Sequence, residues 1–196
     1  MTFKIIMAVV LGTVAGLFLP DDFYATTDTL LTIGLCLLLF FVGIDIGKNK
    51  NVFRDIKKTG ALFFLTPIAI TAGSLLGAIL IGSLLGYPLN ESGAIGSGLG
   101  WYTLSSIIIA PYSSELSVLA FLTNVMREVF AIALIPIIAK RVGFIEAIAP
   151  AGATAMDTTL PIISSNTSSE TAILSFSTGL ILSVIVPILV PLFLFR

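Results

Sequence analysis

The stretch AGATAMDTTLP, residues 151–161, interrupts a part of the chain that is otherwise apolar. It is rich in small and hydroxyl-bearing residues, it ends in a proline, and it carries one carboxylate, Asp157. A charged side chain at the centre of a bilayer costs roughly 2.5 to 3.5 kcal/mol on insertion scales. Membrane proteins therefore retain such residues mainly where they line a protein-enclosed path for ions or polar solutes. The stretch predicts a broken helix beside such a path.

The composition around this stretch is that of an integral membrane protein. Of the 196 residues, 57% are hydrophobic and 11% are charged, and the mean hydropathy is +1.10. Soluble domains carry about 25% charged residues, and one bilayer crossing needs about 20 apolar residues. We therefore predict an all-α polytopic membrane protein in which residues 1–196 form a single transmembrane transporter domain.

Composition also limits the chemistry that the chain can perform. The net charge of −1 argues against nucleic acid as a partner, and the chain contains no histidine, so proton transfer falls to carboxylates. No cysteine or histidine cluster has metal-ligand spacing, and the single Cys36 lies in an apolar run. We expect no metal, no cofactor and no enzymatic activity. A serine hydrolase would lack its base, and Asp45 with Asp157 lacks the flanking pattern of an intramembrane protease.

Apolar runs and basic residues predict the membrane topology. Two glycine-rich or polar interruptions, at residues 93–112 and 147–163, indicate broken, re-entrant segments. With both segments re-entrant, eight Lys and Arg residues lie on the cytoplasmic side, whereas full crossings would move Lys140 and Arg141 outside. We therefore predict a multi-pass protein of the cytoplasmic (inner) membrane with its N-terminus inside and its C-terminus outside. The five full spans are expected at residues 5–19, 30–47, 60–85, 116–139 and 171–195.

In this topology the two interrupted segments enter the membrane from opposite sides. Aligning them pairs Gly96 with Gly152 and Thr103 with Thr159. Such identities alone are close to chance, but together with the topology they indicate two inverted units, each a span followed by a broken segment. Pairs of this kind mark midplane binding sites in secondary transporters.

Charged residues within the apolar runs are the first candidates for a binding site. Glu128 lies near the middle of the fourth predicted span, and Asn124 shares its helix face because it lies four residues earlier. Arg127 is turned about 100° away from Glu128 and could pair with Asp157 or with a broken-helix carbonyl. The alternative is a buried ion pair that only fixes helix packing.

Hydroxyl and aromatic residues of the broken segments are further candidates. Thr158 and Thr159 are of a type that caps helices, and with the exposed backbone they could also bind an ion or an ammonium group. Trp101 and Tyr102 could stabilise a cation through their rings, or act only as interfacial anchors. The candidate substrate- and proton-binding residues are Glu128, Asp157, Asn124, Arg127, Thr158, Thr159, Trp101, Tyr102 and Thr103.

Three ordered motifs, GSGLGWYTLSS (96–106), NVMREVFAIALIP (124–136) and GATAMDTTLP (152–161), resemble the lysine exporter family called LysO. The resemblance covers nearly the whole chain. It implies export of L-lysine and toxic analogues by exchange for protons, and it places two intramembrane acidic residues of the family on Glu128 and Asp157. Full-length members carry additional spans before the matched part. The chain thus resembles the larger piece of a split member, which implies a homodimer or a small partner membrane subunit that supplies the missing spans.

We therefore expect a membrane exporter of L-lysine and related cationic amino acids that works by antiport within the lipid bilayer. Glu128 and Asp157 would bind the substrate ammonium or a proton in alternation, and the sequence leaves sodium open as the coupling ion. Two alternatives belong to other classes. One is a passive, holin-like pore, and the other is a non-transporting subunit of a two-component membrane complex.

Overall fold

A computed structural model describes residues 60–194 and scattered positions between residues 7 and 44. Outside the described residues fall the basic loop at 48–58, most of the first two predicted spans, Cys36 and Asp45. Over residues 60–194 all regular structure is helical, so the predicted all-α fold is confirmed. The α-helices of this part are α1 (Leu62–Leu84), α2 (Leu89–Gly96), α3 (Tyr102–Ile109), α4 (Ser114–Arg141), α5 (Leu160–Asn166) and α6 (Ser169–Leu194). Two 3-10 helices, Glu146–Ile148 and Gly152–Met156, lie between α4 and α5.

Three of these helices, α1, α4 and α6, are long and apolar enough to cross a membrane. Each begins and ends within two residues of a span predicted from the sequence. Local signals fix the ends of α4. The Ser113 side chain accepts a hydrogen bond from the backbone N–H of Leu116 at 3.2 Å, and Lys140 and Arg141 occupy the last turn, where the helix dipole favours cations.

The first interrupted segment folds back on itself as a hairpin of α2 and α3. The chain breaks between them at residues 97–101, where Leu99 and Gly100 have φ angles of 49° and 99°. The two ends of the segment lie side by side, as shown by the hydrogen bond that the Tyr112 hydroxyl donates to Glu91 Oε1 at 3.4 Å. The segment therefore leaves and returns at the same end of the helix bundle.

The second interrupted segment is a hairpin that opens at the opposite end. Gly93, near the start of α2, packs against the ring of Phe193, near the end of α6. Since α6 contains 26 residues and is about 39 Å long, its first residue, Ser169, lies at the other end of the bundle. Helix α4 begins just after the first hairpin and its 28 residues span about 42 Å, so Arg141 lies at that other end as well. The chain between Arg141 and Ser169 therefore leaves and returns there.

In the described part α1 and α4 are thus each followed by a broken hairpin, and the two hairpins open at opposite ends of the bundle. This order of elements supports the predicted opposite orientation of the two broken segments, and the inverted repeat stays a prediction. Small residues permit the close packing of α6 against the second hairpin. An added Cβ at Gly179 would lie only 2.6 Å from the Met156 backbone nitrogen and 2.8 Å from the Ala153 carbonyl oxygen.

Candidate functional site

The first break, residues 97–101, and the second break, residues 149–159 of the second hairpin, meet in the interior through their main chains. The backbone N–H of Ala153 donates to the Leu99 carbonyl at 2.8 Å. Gly152 has a φ of 63°, and a Cβ added there would collide with the Leu99 carbonyl oxygen. A Cβ at Gly100 would lie 3.1 Å from the Ala151 carbonyl oxygen. Glycine is therefore needed on both sides of the contact, for its left-handed conformation and for close backbone approach.

Asn124 closes the first break from the neighbouring helix α4. Its Oδ1 accepts from the backbone N–H of Gly100 at 2.7 Å. Its Nδ2 donates to the Ala120 carbonyl at 2.9 Å and to the Ile95 carbonyl at 3.4 Å. The side chain is buried, with 3% of its surface exposed. Asn124 thus satisfies polar backbone groups that the interruption of the helix leaves free.

Arg127, one turn further along α4, closes the second break. Its Nε donates to the Pro150 carbonyl at 3.0 Å and its Nη2 to the Ala149 carbonyl at 3.2 Å. Its Nη1 donates to the Ser74 hydroxyl at 2.9 Å, and that hydroxyl donates to the Gly96 carbonyl at 2.9 Å. Of the two partners considered for Arg127 from the sequence, a carboxylate or a broken-helix carbonyl, the structure shows the carbonyl.

The carboxylates of Glu128 and Asp157 come together around Thr158. Asp157 Oδ1 accepts from the backbone N–H of Thr158 at 2.6 Å and from its hydroxyl at 3.4 Å. The Glu128 side chain lies near Thr158 and Asp157, and Tyr102 lies near both carboxylates. The ring of Tyr102 is held edge-on against that of Phe121, with centroids 5.4 Å apart.

The remaining predicted residues lie elsewhere around the breaks. Thr159 is fully buried, and its hydroxyl donates to the Thr154 carbonyl at 2.9 Å within the second break. Trp101 lies at the start of α3 with 36% of its surface exposed, and Thr103 is exposed on the same helix. Across residues 60–194, no hydrogen bond joins Trp101 or Thr103 to either carboxylate.

Two serines that the sequence did not single out support the breaks. Ser74 relays the contact of Arg127 to the end of α2, and the Ser175 hydroxyl on α6 donates to the Ala155 carbonyl at 2.8 Å. Each lies within a long apolar helix beside small residues. That placement is the signal that could have indicated a role in holding unwound backbone.

A groove of about 1000 Å³ runs beside α1, with Asn124 and Arg127 among its lining residues. Neither Glu128 nor Asp157 lines it. The groove is mostly apolar, and its walls come largely from α1. The carboxylates therefore face a different part of the molecule from this groove.

Comparison with known proteins assigns the chain to a family. The sequence profile described as "Lysine exporter LysO" matches residues 6–194. The chain belongs to this family. It is 32% identical to lysine exporter LysO of Escherichia coli strain K12 over 97% of its own length, and it spans 63% of the length of that relative. It is 29% identical to a candidate lysine exporter of Haemophilus influenzae, over 97% of this chain and 96% of the relative. No solved structure matches the chain.

Proposed function

We propose that this chain exports L-lysine and related cationic amino acids across the cytoplasmic membrane in exchange for protons. Membership in the LysO family supports lysine as the substrate. The observation that carries the mechanism is the proximity of the Glu128 side chain to Asp157, which accepts hydrogen bonds from Thr158, beside the crossing of two broken segments. Sites at such crossings are a common feature of secondary transporters.

The two carboxylates would form the site at which lysine and protons compete. A carboxylate attracts the substrate ammonium only while it is ionised, and a proton on the same oxygen removes that attraction. Asp157 Oδ1 is engaged by Thr158, so we assign Oδ2 to the ligand. Protonation from one side and lysine binding from the other would then exclude each other, which is the requirement for exchange.

The orientation follows from the basic residues of the proposed topology. Lys140 and Arg141 end α4 and would lie on the cytoplasmic side, so the second hairpin would open to the cytoplasm and the first to the outside. The N-terminus would then lie inside and the C-terminus outside. As partner of the chain we propose a second copy or a small membrane subunit; the chain spans 63% of the length of the Escherichia coli relative and 96% of that of the Haemophilus influenzae relative.

The test measures lysine efflux and coupled proton uptake. Labelled lysine would be followed from loaded cells of a lysine-export-deficient bacterial host, and proton flux from proteoliposomes of the same protein. We expect saturable efflux with the wild type and a loss of about 100-fold or more in Glu128→Gln and Asp157→Asn, because each substitution removes a charge that binds the ammonium.

Glu115→Gln is the matched control, since Glu115 lies exposed in the first turn of the same helix as Glu128. Its transport should equal that of the wild type. Efflux that rises linearly with lysine concentration and persists in both site variants would indicate a passive pore. Efflux absent from cells with the wild-type chain alone, but restored by a co-expressed membrane subunit, would show that the subunit is required.

A further inference from the structure

Arg127 is an unusual cation for the interior of a membrane protein, because its recorded hydrogen bonds within residues 60–194 all go to neutral oxygens. These are the Ala149 carbonyl, the Pro150 carbonyl and the Ser74 hydroxyl. A permanently charged guanidinium needs compensation when it leaves water. Here the compensation comes from carbonyl dipoles at the ends of two interrupted helical segments.

The carbonyls around Arg127 come from both hairpins. Ala149 and Pro150 follow the first 3-10 helix of the second hairpin, and Gly96 ends α2 of the first hairpin. Gly96 is reached through the Ser74 hydroxyl, at two successive distances of 2.9 Å. The ends of interrupted helices carry partial negative charge on carbonyl groups that have lost their helical partners.

In transporters with discontinuous helices, such unwound carbonyls coordinate the coupling sodium ion or proton. We propose that Arg127 is a tethered cation that occupies this carbonyl cluster permanently, so that the transporter uses no sodium ion at the crossing. The planar fork of the guanidinium suits two successive carbonyls, which a single ammonium or metal ion would contact less completely. Exchange is then left to the carboxylates of Glu128 and Asp157.

Arg127 would also position those carboxylates. It holds the backbone of residues 149–150, and three residues later Ala153 is bonded to Leu99 of the other hairpin. Asn124, one turn earlier on α4, holds Gly100. The position of Asp157 relative to Glu128 thus depends on contacts that the guanidinium makes about 100° around the helix from Glu128.

The experiment compares Arg127→Ala, Arg127→Gln and Arg127→Lys with the wild type. Lysine flux and thermal stability are measured in sodium, in choline and in millimolar guanidinium, which is far below denaturing concentrations. We expect no sodium dependence in the wild type. Arg127→Ala should lose about tenfold or more in flux, since it removes charge-assisted hydrogen bonds, and should recover in part with free guanidinium or sodium.

Arg127→Gln keeps hydrogen-bond donors without charge, and Arg127→Lys keeps charge without the fork. Greater lysine flux in Arg127→Lys than in Arg127→Gln supports the proposal. This comparison can still be made if Arg127→Ala fails to fold. Lysine flux at the wild-type level in Arg127→Gln would overturn the proposal. A requirement for sodium in the wild type would also overturn it. Lys140→Ala, an exposed cation in the last turn of α4, is the control and should gain no dependence on added cations.

This inference uses the proposed lysine export only as one of its assays. If the wild type moved no lysine, export would fail while the stability measurement still decided the role of Arg127. A ligand that binds only the folded state raises thermal stability. Sodium or guanidinium should therefore stabilise Arg127→Ala and leave the wild type unchanged, and an equal effect on both proteins would contradict the tethered cation.

Discussion

Two sides of helix α4 perform different tasks at the same level of the molecule. On one side, which we call the carbonyl side, Arg127 is bonded to backbone carbonyls of the second hairpin. On the other, the carboxylate side, Glu128 lies near Asp157, which accepts hydrogen bonds from Thr158. Asn124 lies between the two sides and is bonded to the backbone of the first hairpin. A step of one residue turns a helix by about 100°, so Arg127 and Glu128 are adjacent in sequence yet point apart. Polar contacts on the carbonyl side hold the breaks, whereas the carboxylates of Glu128 and Asp157 are the proposed ligand site.

Gly152→Ala should cause the largest loss of folding stability. The added Cβ would clash with a backbone carbonyl oxygen on the carbonyl side, and that atom cannot move away as a flexible side chain could. The new Cβ would meet the Leu99 carbonyl oxygen and lie 3.1 Å from the guanidinium carbon of Arg127. We expect a loss of about 3 kcal/mol or more in folding stability, with little protein recovered in a monodisperse state. Thermal unfolding in detergent, followed by size-exclusion chromatography, measures it.

Gly86→Ala is the matched control for this prediction. Gly86 also has a positive φ, 86°, but a Cβ there would have no atom within 4 Å. Gly86→Ala should reduce the folding stability by about 1 kcal/mol, because alanine is strained in the left-handed backbone conformation. Equal losses at Gly86 and Gly152 would mean that the crossing is not closely packed.

Asn124→Ala should have the next largest effect on stability. It removes the acceptor of the Gly100 N–H and the donor to Ile95, and leaves buried backbone groups without a partner. The expected loss is about 2 kcal/mol in thermal unfolding. Asn124→Asp keeps the acceptor, but its carboxylate replaces the donated bonds with repulsion from the Ala120 and Ile95 carbonyl oxygens, so it should be at least as unstable as alanine. An aspartate variant more stable than alanine would assign the main role to the bond accepted from Gly100.

Thr158→Val should separate the two sides most sharply, with the smallest effect on stability. Valine is close in shape to threonine but cannot donate to Asp157 Oδ1. Because a hydrogen bond to a charged group contributes about 1.5 to 3 kcal/mol, lysine efflux should fall about tenfold. Thr158→Ser should restore most of it. Unfolding temperatures would stay near the wild type, and a large drop would place Thr158 among the structural residues.

The sequence predicted the long helices and the breaks because both depend on local composition. The spans at 60–85 and 171–195 are apolar runs, and the span at 116–139 is one apart from Asn124, Arg127 and Glu128. The breaks coincide with clusters of glycine and hydroxyl residues. Their opposite orientation followed from the distribution of Lys and Arg. These features need no knowledge of which helix lies beside which.

The partners of individual side chains could not be predicted in the same way. Helical periodicity placed Asn124 and Glu128 on one face, but it does not state which neighbour each side chain meets. Asn124 holds Gly100, and Arg127 reaches Ser74, 53 residues earlier in the chain. Contacts of that sequence separation depend on the packing of the whole bundle. A role of Asn124 in binding substrate stays a prediction.

The opposite orientation of the two hairpins also bears on the direction of transport. A carrier made of two similar units in opposite orientation passes from its inward-open to its outward-open state when the units exchange conformations. Each unit then has, in one state, the conformation that the other unit has in the other state. The free energies of the two states would therefore differ little, and neither state would be strongly preferred. The protein would then transport lysine in either direction, and the lysine and proton gradients would determine the direction of net transport. Export rather than import of lysine would then depend on the gradients that the cell maintains, and not on the fold of the protein.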